Sequence, residues 1–210
     1  GAVTGNTRRF GASLDKIKQV VDVRDGEIMF GLNMVVHKGK TIFVGDTSVN
    51  EYPTSEQMAE IAISTARVVR LFGFDPKVAF VSHSTFGQPL TSRTKHIRNA
   101  VDILKEKNVD FEFDGDMQPD VALNKQYKEL YPFSEIVGNA NILIMPGQHS
   151  AAISYKMMRE LGGAKVIGPL LIGLAQPIEI APLRSSTSDI LNLASVAAYS
   201  ASVINYDKKN

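Results

Sequence analysis

The chain has 210 residues, 44% hydrophobic and 21% charged, enough apolar material for a substantial core in one or two globular domains. Its 23 basic and 22 acidic side chains leave a net charge of +1, so no global field draws it to nucleic acid; without cysteine it has no disulfide, thiolate nucleophile or cysteine-bound metal. No apolar run reaches the roughly 18 residues of a membrane span, GAVTGNTRRF lacks the order of a secretory signal, and the absence of cysteine suits the cytoplasm.

Leu14, Ile17, Val20 and Val21 recur at helical spacing and predict a short amphipathic helix before the turn at Val23-Arg-Asp-Gly26. Glu27–Val36 and Thr41–Gly45 flank His37-Lys-Gly-Lys40 and read as a hairpin in which Gly39 supplies the turn. Thr54 with Gln57 forms a capping box, after which Met58, Ile61, Ala62, Thr65, Val68 and Val69 carry one apolar stripe to Gly73. Lys77–Val81 is a strand, Ser82–Thr91 a small polar loop, and a helix follows from about Ser92 to Lys107.

The same order of strand, polar loop and helix returns over Phe111–Leu130 and over Ile142–Leu161. Repeated units of this kind predict an α/β fold with a mainly parallel sheet, whose ligands gather at the carboxyl ends of the strands. Ala164–Leu174, Pro177–Ile180 and an apolar helix over Asp189–Val203 add a second layer.

Three loops carry groups suited to anions. Ser82-His-Ser-Thr-Phe-Gly-Gln88 presents three hydroxyls and an imidazole after a buried strand, with Arg93, Lys95 and Arg98 beyond; from the residues alone, a solvated loop that caps a helix is the alternative. Thr4-Gly-Asn-Thr-Arg-Arg9 ends in two arginines and fits a phosphate or a surface turn equally well. Asn141–Met145 is a strand buried on both faces, and Pro146-Gly147 leads to a helix from about Ser150 to Leu161 whose free N–H groups suit an anion. There Tyr155 and Lys156 either meet the ligand or serve as packing and solvated surface. Asp114, Asp116 and Asp120 lack the remaining ligands of a calcium loop, so Asp116 or Asp120 is expected to cap the helix at Val121. Adjacent His149 and Ser150 are poorly placed for a triad with Asp189, and no GxSxG is present.

Val3-Thr-Gly5, Phe43-Val-Gly-Asp46 with Asn50, Pro53-Thr54, Ser82–Gly87, Phe111–Gly115 and the stretch from Gly138 to Asp189 resemble the phosphate acetyl/butyryltransferases, which move an acyl group between phosphate and coenzyme A. VTGNTRRF, FDGDMQPDVALN, HSAAISYKM and IGPLLIGLAQPI resemble more closely the phosphotransacetylase-like C-terminal module of bacterial NADP-dependent malic enzymes. The resemblance implies a phosphotransacetylase-like, isocitrate/isopropylmalate dehydrogenase-like two-domain fold. Residues 1–14 would end a truncated first domain, 15–155 form an inserted α/β domain, and 156–210 complete the first. It further implies a fragment of a longer, cytoplasmic polypeptide that assembles as a homo-oligomer, with NADP and a divalent metal, Mg or Mn, in the catalytic domain outside these residues.

Where the family has its Ser-Arg pair, the proposed base and phosphate ligand, this chain aligns Pro182 and Leu183; a slip of one residue brings Arg184 near the Arg position. Phe86 replaces the Lys of the family's Ser-Thr-Lys-Gly loop, and its Asn-Ala-Gly-Asn-Ile segment reads His149-Ser-Ala-Ala-Ile153. The resemblance therefore implies a vestigial cleft that binds acetyl-CoA as a regulator, through Thr7, Arg8, Ser82, Ser84, Thr85, Gly87, Arg93, His149, Ser150, Tyr155, Lys156, Arg184 and Asp189, with no catalytic residue and no metal ligand. A working phosphate acetyltransferase is the alternative.

Overall fold

The computed structural model describes residues 1–207. Strand β1 (Ala2–Gly5) leads into helix α1 (Phe10–Lys18) and then the hairpin β2 (Phe30–His37) and β3 (Lys40–Gly45). Lys38 and Gly39 have φ of 47° and 76°, the pair of positive values that a type I′ turn needs. Next come α2 (Ser55–Leu71), β4 (Lys77–Val81), α3 (Ser92–Glu106), β5 (Glu112–Met117), α4 (Pro119–Leu123), α5 (Lys125–Lys128) and β6 (Ile142–Ile144). The chain ends with α6 (Gln148–Glu160), β7 (Lys165–Ile172), β8 (Ile178–Ala181) and α7 (Thr187–Asp207).

Six strands form one sheet in the order β5-β4-β6-β3-β2-β7. β5, β4, β6 and β3 run parallel, while β2 is antiparallel to both β3 and β7. The α/β reading holds, with a mixed sheet, because the tight hairpin reverses one strand inside it. The pleat sends alternate side chains of β4 to opposite faces: Val78 and Phe80 to one core, Ala79 and Val81 to the other. α2 and α3 cover the first face through Met58, Ile61, Ile97 and Leu104, and α6 and α4 cover the second through Ala151, Val121 and Ala122. The Thr54–Gln57 capping box starts α2 as expected.

Two sequence expectations need correction, and a third is met by one of its two candidates. α1 stops at Lys18, and Val20 is 79% exposed, because the chain turns away one residue after the last core position, Ile17. Phe111–Leu130 holds two short helices after its strand in place of one, since Asn124 leaves helical geometry and caps α5 through the Gln126 N–H. Of the two aspartates expected to cap the helix at Val121, Asp120 does so, its Oδ1 accepting the Val121 N–H at 3.0 Å from within the first turn, while Gln118 holds the N-cap position without a side-chain bond and Asp116 lies fully buried in β5.

β1 and β8 pair in parallel as a separate small sheet, with α7 packed over β1, β7 and β8. A third core cluster, including Leu14, Ile17, Leu171 and Ile180, joins α1 to these strands. The two sheets are bridged by a buried acid: Glu179 of β8, 2% exposed, accepts the Leu171 N–H of β7 at 3.0 Å. Burial pushes its carboxyl up to about 8, against the smaller opposing pull of that N–H. A carboxyl raised in this way contributes stability that is complete below its ordinary value of 4.5 and is lost as pH rises through about 8. Urea titrations at pH 5 and pH 8.5 should therefore show Glu179→Gln, which keeps the acceptor without the charge, matching wild type at the lower pH and surpassing it at the higher. A pH response identical to wild type would show that Glu179 does not carry the effect.

Candidate functional site

Asp46, buried at the end of β3, organises the rim of the first cavity. Its Oδ1 accepts the N–H groups of Gly31 (2.8 Å), Ser48 (2.8 Å) and Val49 (3.1 Å), and its Oδ2 accepts the backbone and side-chain N–H groups of Asn50 (2.6 and 2.7 Å). The turn is thereby pinned to β2, and it leaves Thr47 and Ser48 lining a cavity of about 580 Å³ between α6, β7 and the start of α7. Gly31 is needed there for close approach: a Cβ would meet the Ser48 hydroxyl at 1.9 Å.

This cleft is rich in cations. Lys156 and Arg159 of α6, Lys165 of β7 and Arg184 of the loop before α7 line it, and all four are exposed. Its one acid, Asp189, is already engaged: Oδ2 accepts the Ser186 hydroxyl at 2.7 Å and the Ser186 N–H at 2.9 Å, and the Asp189 N–H returns to the Ser186 Oγ at 3.2 Å, a reciprocal cap on α7. Those bonds, and after them the charges of Lys165 and Arg159, hold the Asp189 carboxyl below the usual carboxylate range. Tyr155 stands inside the cleft with its hydroxyl pushed up by burial, which the Asn33 amide and the Arg159 charge partly offset. Pro182 and Leu183 form part of the wall, so neither a base nor a phosphate ligand stands at those two positions.

A second cavity, about 890 Å³, opens beyond the carboxyl ends of β4 and β6, between Val81 and Met145. These neighbouring strands send their following helices to opposite faces of the sheet, which is the topological condition for a crevice in an open α/β sheet. Ser82, Arg93, His149 and Ser150 line it. His149 stacks on Tyr52 with centroids 6.3 Å apart and reaches Glu51 at 3.6 Å, while the Ser150 hydroxyl donates to the Gly147 carbonyl at 2.8 Å.

The thirteen residues expected to share one ligand are thus divided by α6. Tyr155, Lys156, Arg184 and Asp189 face the first cavity; Ser82, Arg93, His149 and Ser150 face the second. Thr7 and Arg8 are exposed and line neither, although the adjacent Asn6 Oδ1 accepts the Ser185 N–H of the first rim at 3.0 Å. Ser84, Thr85 and Gly87 are buried and also line neither. The Ser84 hydroxyl donates to Asp116, the Gly87 N–H donates to the same carboxylate at 3.0 Å, and the Thr85 Oγ1 accepts the Gln118 N–H at 3.3 Å. Phe86 packs its ring against Phe133 and Tyr131, at 4.8 and 5.5 Å, where a lysine ammonium would be desolvated. Asn33, Ser48, Arg159, Lys165 and Asn192 escaped sequence reading; the available signal was Asn33, one amide in the apolar run from Phe30 to Val36. Among the described residues, no cluster of three or more His, Asp or Glu could hold a metal ion, and no helix is long and apolar enough to cross a membrane.

The mixed α/β sheet with β1 and β8 paired beside it is a phosphotransacetylase-like fold, shared with solved phosphotransacetylases. More particularly, the chain belongs to the phosphate acetyl/butaryl transferase family, whose model matches residues 1–198. It is 45% identical to the NADP-dependent malic enzyme of Rhizobium meliloti over 96% of its own length, and 33% identical to the phosphate acetyltransferase of Clostridium acetobutylicum over the same share. It spans 26% of the malic enzyme and 63% of the transferase. Among solved structures, a phosphotransacetylase from Streptococcus pyogenes superposes with a TM-score of 0.88 at 30% identity, over 95% of this chain and 62% of that one.

The Asp116 arrangement generates a stability test. Asp116→Ala removes the carboxylate that accepts the buried Ser84 hydroxyl and strands the Gly87 N–H, and is expected to cost about 2 kcal/mol, whereas His83→Ala, at an exposed position of the same loop, changes stability by under about 0.5 kcal/mol. Denaturant unfolding of both variants checks this, and equal small losses would show that the carboxylate does not hold the loop.

Proposed function

We propose that this chain is the regulatory and assembly module of an NADP-dependent malic enzyme, and that it binds acetyl-CoA as an allosteric inhibitor in the cleft between α6 and α7. The parent enzyme would oxidatively decarboxylate malate to pyruvate, holding NADP and a divalent metal, Mg or Mn, in a catalytic domain outside these residues. Residues 1–14 and 156–210 would complete a first domain around the inserted 15–155 unit, in the dehydrogenase-like arrangement, and the module would join copies of the chain into an oligomer. The observation that carries the reading is the wall at Pro182 and Leu183 in an otherwise cationic cleft: phosphates can be held there, but neither residue can take a proton from a thiol. The 45% identity to a malic enzyme relative of which the chain spans 26% supports a module within a longer protein. For inhibition, acetyl-CoA must bind the inactive state more tightly than the active one.

A working transferase, in which Ser185, Ser186 or Arg184 replaces the missing pair, is the second reading. The Ser185 hydroxyl donates to the Pro182 carbonyl at 2.7 Å, and that of Ser186 donates to Asp189, whose lowered carboxyl is a poor base.

Calorimetry should detect acetyl-CoA binding that weakens with added salt, and Lys156→Ala and Arg184→Ala should each cut affinity about tenfold, the loss expected for a charge-assisted contact to phosphate. A coupled assay should find no acetyl-CoA formation from acetyl phosphate and CoA. Absence of binding at millimolar ligand sinks the regulatory reading, and turnover at ordinary enzyme rates favours the transferase.

A further inference from the structure

β7 is the outer strand of the six, and on its free side the Leu171 N–H is met by a side chain in place of a further strand. That side chain is Glu179 of β8, whose Oε2 accepts the N–H at 3.0 Å. Among the described residues this is the only hydrogen bond between a strand of the large sheet and a strand of the small one. The rest of the joint is apolar, with Leu171 and Ile180 in one core cluster with Leu14 and Ile17 of α1. Two walls of the first cleft run from here: the lining residues Lys165 to Pro169 lead along β7 into Leu171, and Pro182 to Ser185 follow directly after β8.

Glu179 makes this bond without a counter-charge. β1 has no titratable side chain, and β7 has only Lys165, exposed at its far end. α1 keeps Asp15, Lys16 and Lys18 exposed and turns Ser13, Leu14 and Ile17 inward. α7 buries Leu193 and Ala197; over residues 187–203 its titratable groups are Asp189, bonded to Ser186, and Tyr199, which donates to the Leu71 carbonyl. A neutral carboxyl is tolerated in such a place. An ionised one has neither water nor a cation to compensate it, and a single N–H does not suffice. Parting the strands would admit water to the carboxylate, so ionisation and opening favour each other.

We propose that Glu179 is a proton-operated latch between two walls of the cleft, closed while its carboxyl is neutral and released when it ionises, so that alkaline pH frees β8 and the Pro182–Ser185 segment from β7. The latch goes beyond the reading of the cleft as an acetyl-CoA site, because it governs how the walls meet whichever ligand they hold. The opening is local. β4 and β6 are hydrogen-bonded to neighbours on both sides and lie outside it.

The test is amide hydrogen exchange of the 210-residue chain, followed by NMR at pH 6.5 and pH 8 and corrected for the intrinsic pH dependence of exchange. The carboxyl titrates at about 8 when closed and at its ordinary 4.5 when open, so protection of the Leu171 amide should fall on the order of tenfold across that interval in wild type. The amides of Ala79 in β4 and Leu143 in β6 should keep theirs. Glu179→Gln, which retains the acceptor without the charge, should hold Leu171 equally protected at both pH values. Glu179→Leu, neutral and without an acceptor, should leave Leu171 less protected than in wild type at pH 6.5 and no less so at pH 8. An unchanged Leu171 amide in wild type, the same fall in Glu179→Gln, or an equal fall at Ala79 and Leu143 overturns the latch. If Glu179→Gln does not fold, the Leu variant decides, and a tenfold fall there overturns it. No ligand enters the measurement, so the latch and the acetyl-CoA reading fail separately.

Discussion

Five N–H groups converge on the Asp46 carboxylate, and the first cleft depends on that convergence. A strand buried on both faces has no polar groups of its own to offer once the ladder ends, so the residues that follow need an acceptor inside the protein. Asp46 supplies one that is charged, and each bond to it is stronger than a neutral one. The Thr47 N–H and hydroxyl complete the exchange by donating to the Gly31 carbonyl at 2.9 and 3.1 Å. β2 and the turn after β3 are thereby one rigid piece, and Thr47 and Ser48 present fixed groups to the cavity.

Asp116 does for the 82–88 loop what Asp46 does for the 47–50 turn. Both aspartates follow a glycine of a strand and both are almost fully buried; Asp46 takes its donors from the turn after its own strand and from Gly31 of β2, Asp116 from the loop after β4. The consequence for chemistry differs. Asp46 orients residues toward a cavity, whereas Asp116 draws Ser84 and Gly87 inward and away from either cavity. Hydroxyls that look ready for phosphate in the sequence are here spent on the fold.

Helix α6 is the divider of function. Its first turn sends His149 and Ser150 to the crevice beyond β4 and β6, and its second sends Tyr155 and Lys156 to the cleft beside α7. Ser150 and Tyr155 lie about 140° apart around the helix, and His149 and Lys156, which share a side, stand two turns apart along it, so the four cannot meet one small ligand. Nor are the two cavities electrostatically alike: one gathers four cations against a single acid already bonded to Ser186, the other offers imidazoles, hydroxyls and Arg93. The four cations share that cleft with a proline and a leucine, groups that cannot take a proton.

Local physics made the skeleton legible. The hairpin at Lys38–Gly39, the capping box of α2, the strand at Lys77–Val81 and the repeated βα order all follow from turn chemistry, capping and period, which act over a few residues. The family was legible too, because short motifs survive where the backbone must keep its shape. What the residues could not disclose is direction and neighbourhood: that Asp116 would serve the fold, that α6 would split the expected ligand contacts, and that Ser48, Arg159, Lys165 and Asn192, far apart in the chain, would line one cleft. The sequence alone determined which elements form and which kinds of group the chain owns. Only the tertiary structure decided which of those groups face a cavity, because burial and hydrogen-bond partners depend on contacts between segments that no local rule connects.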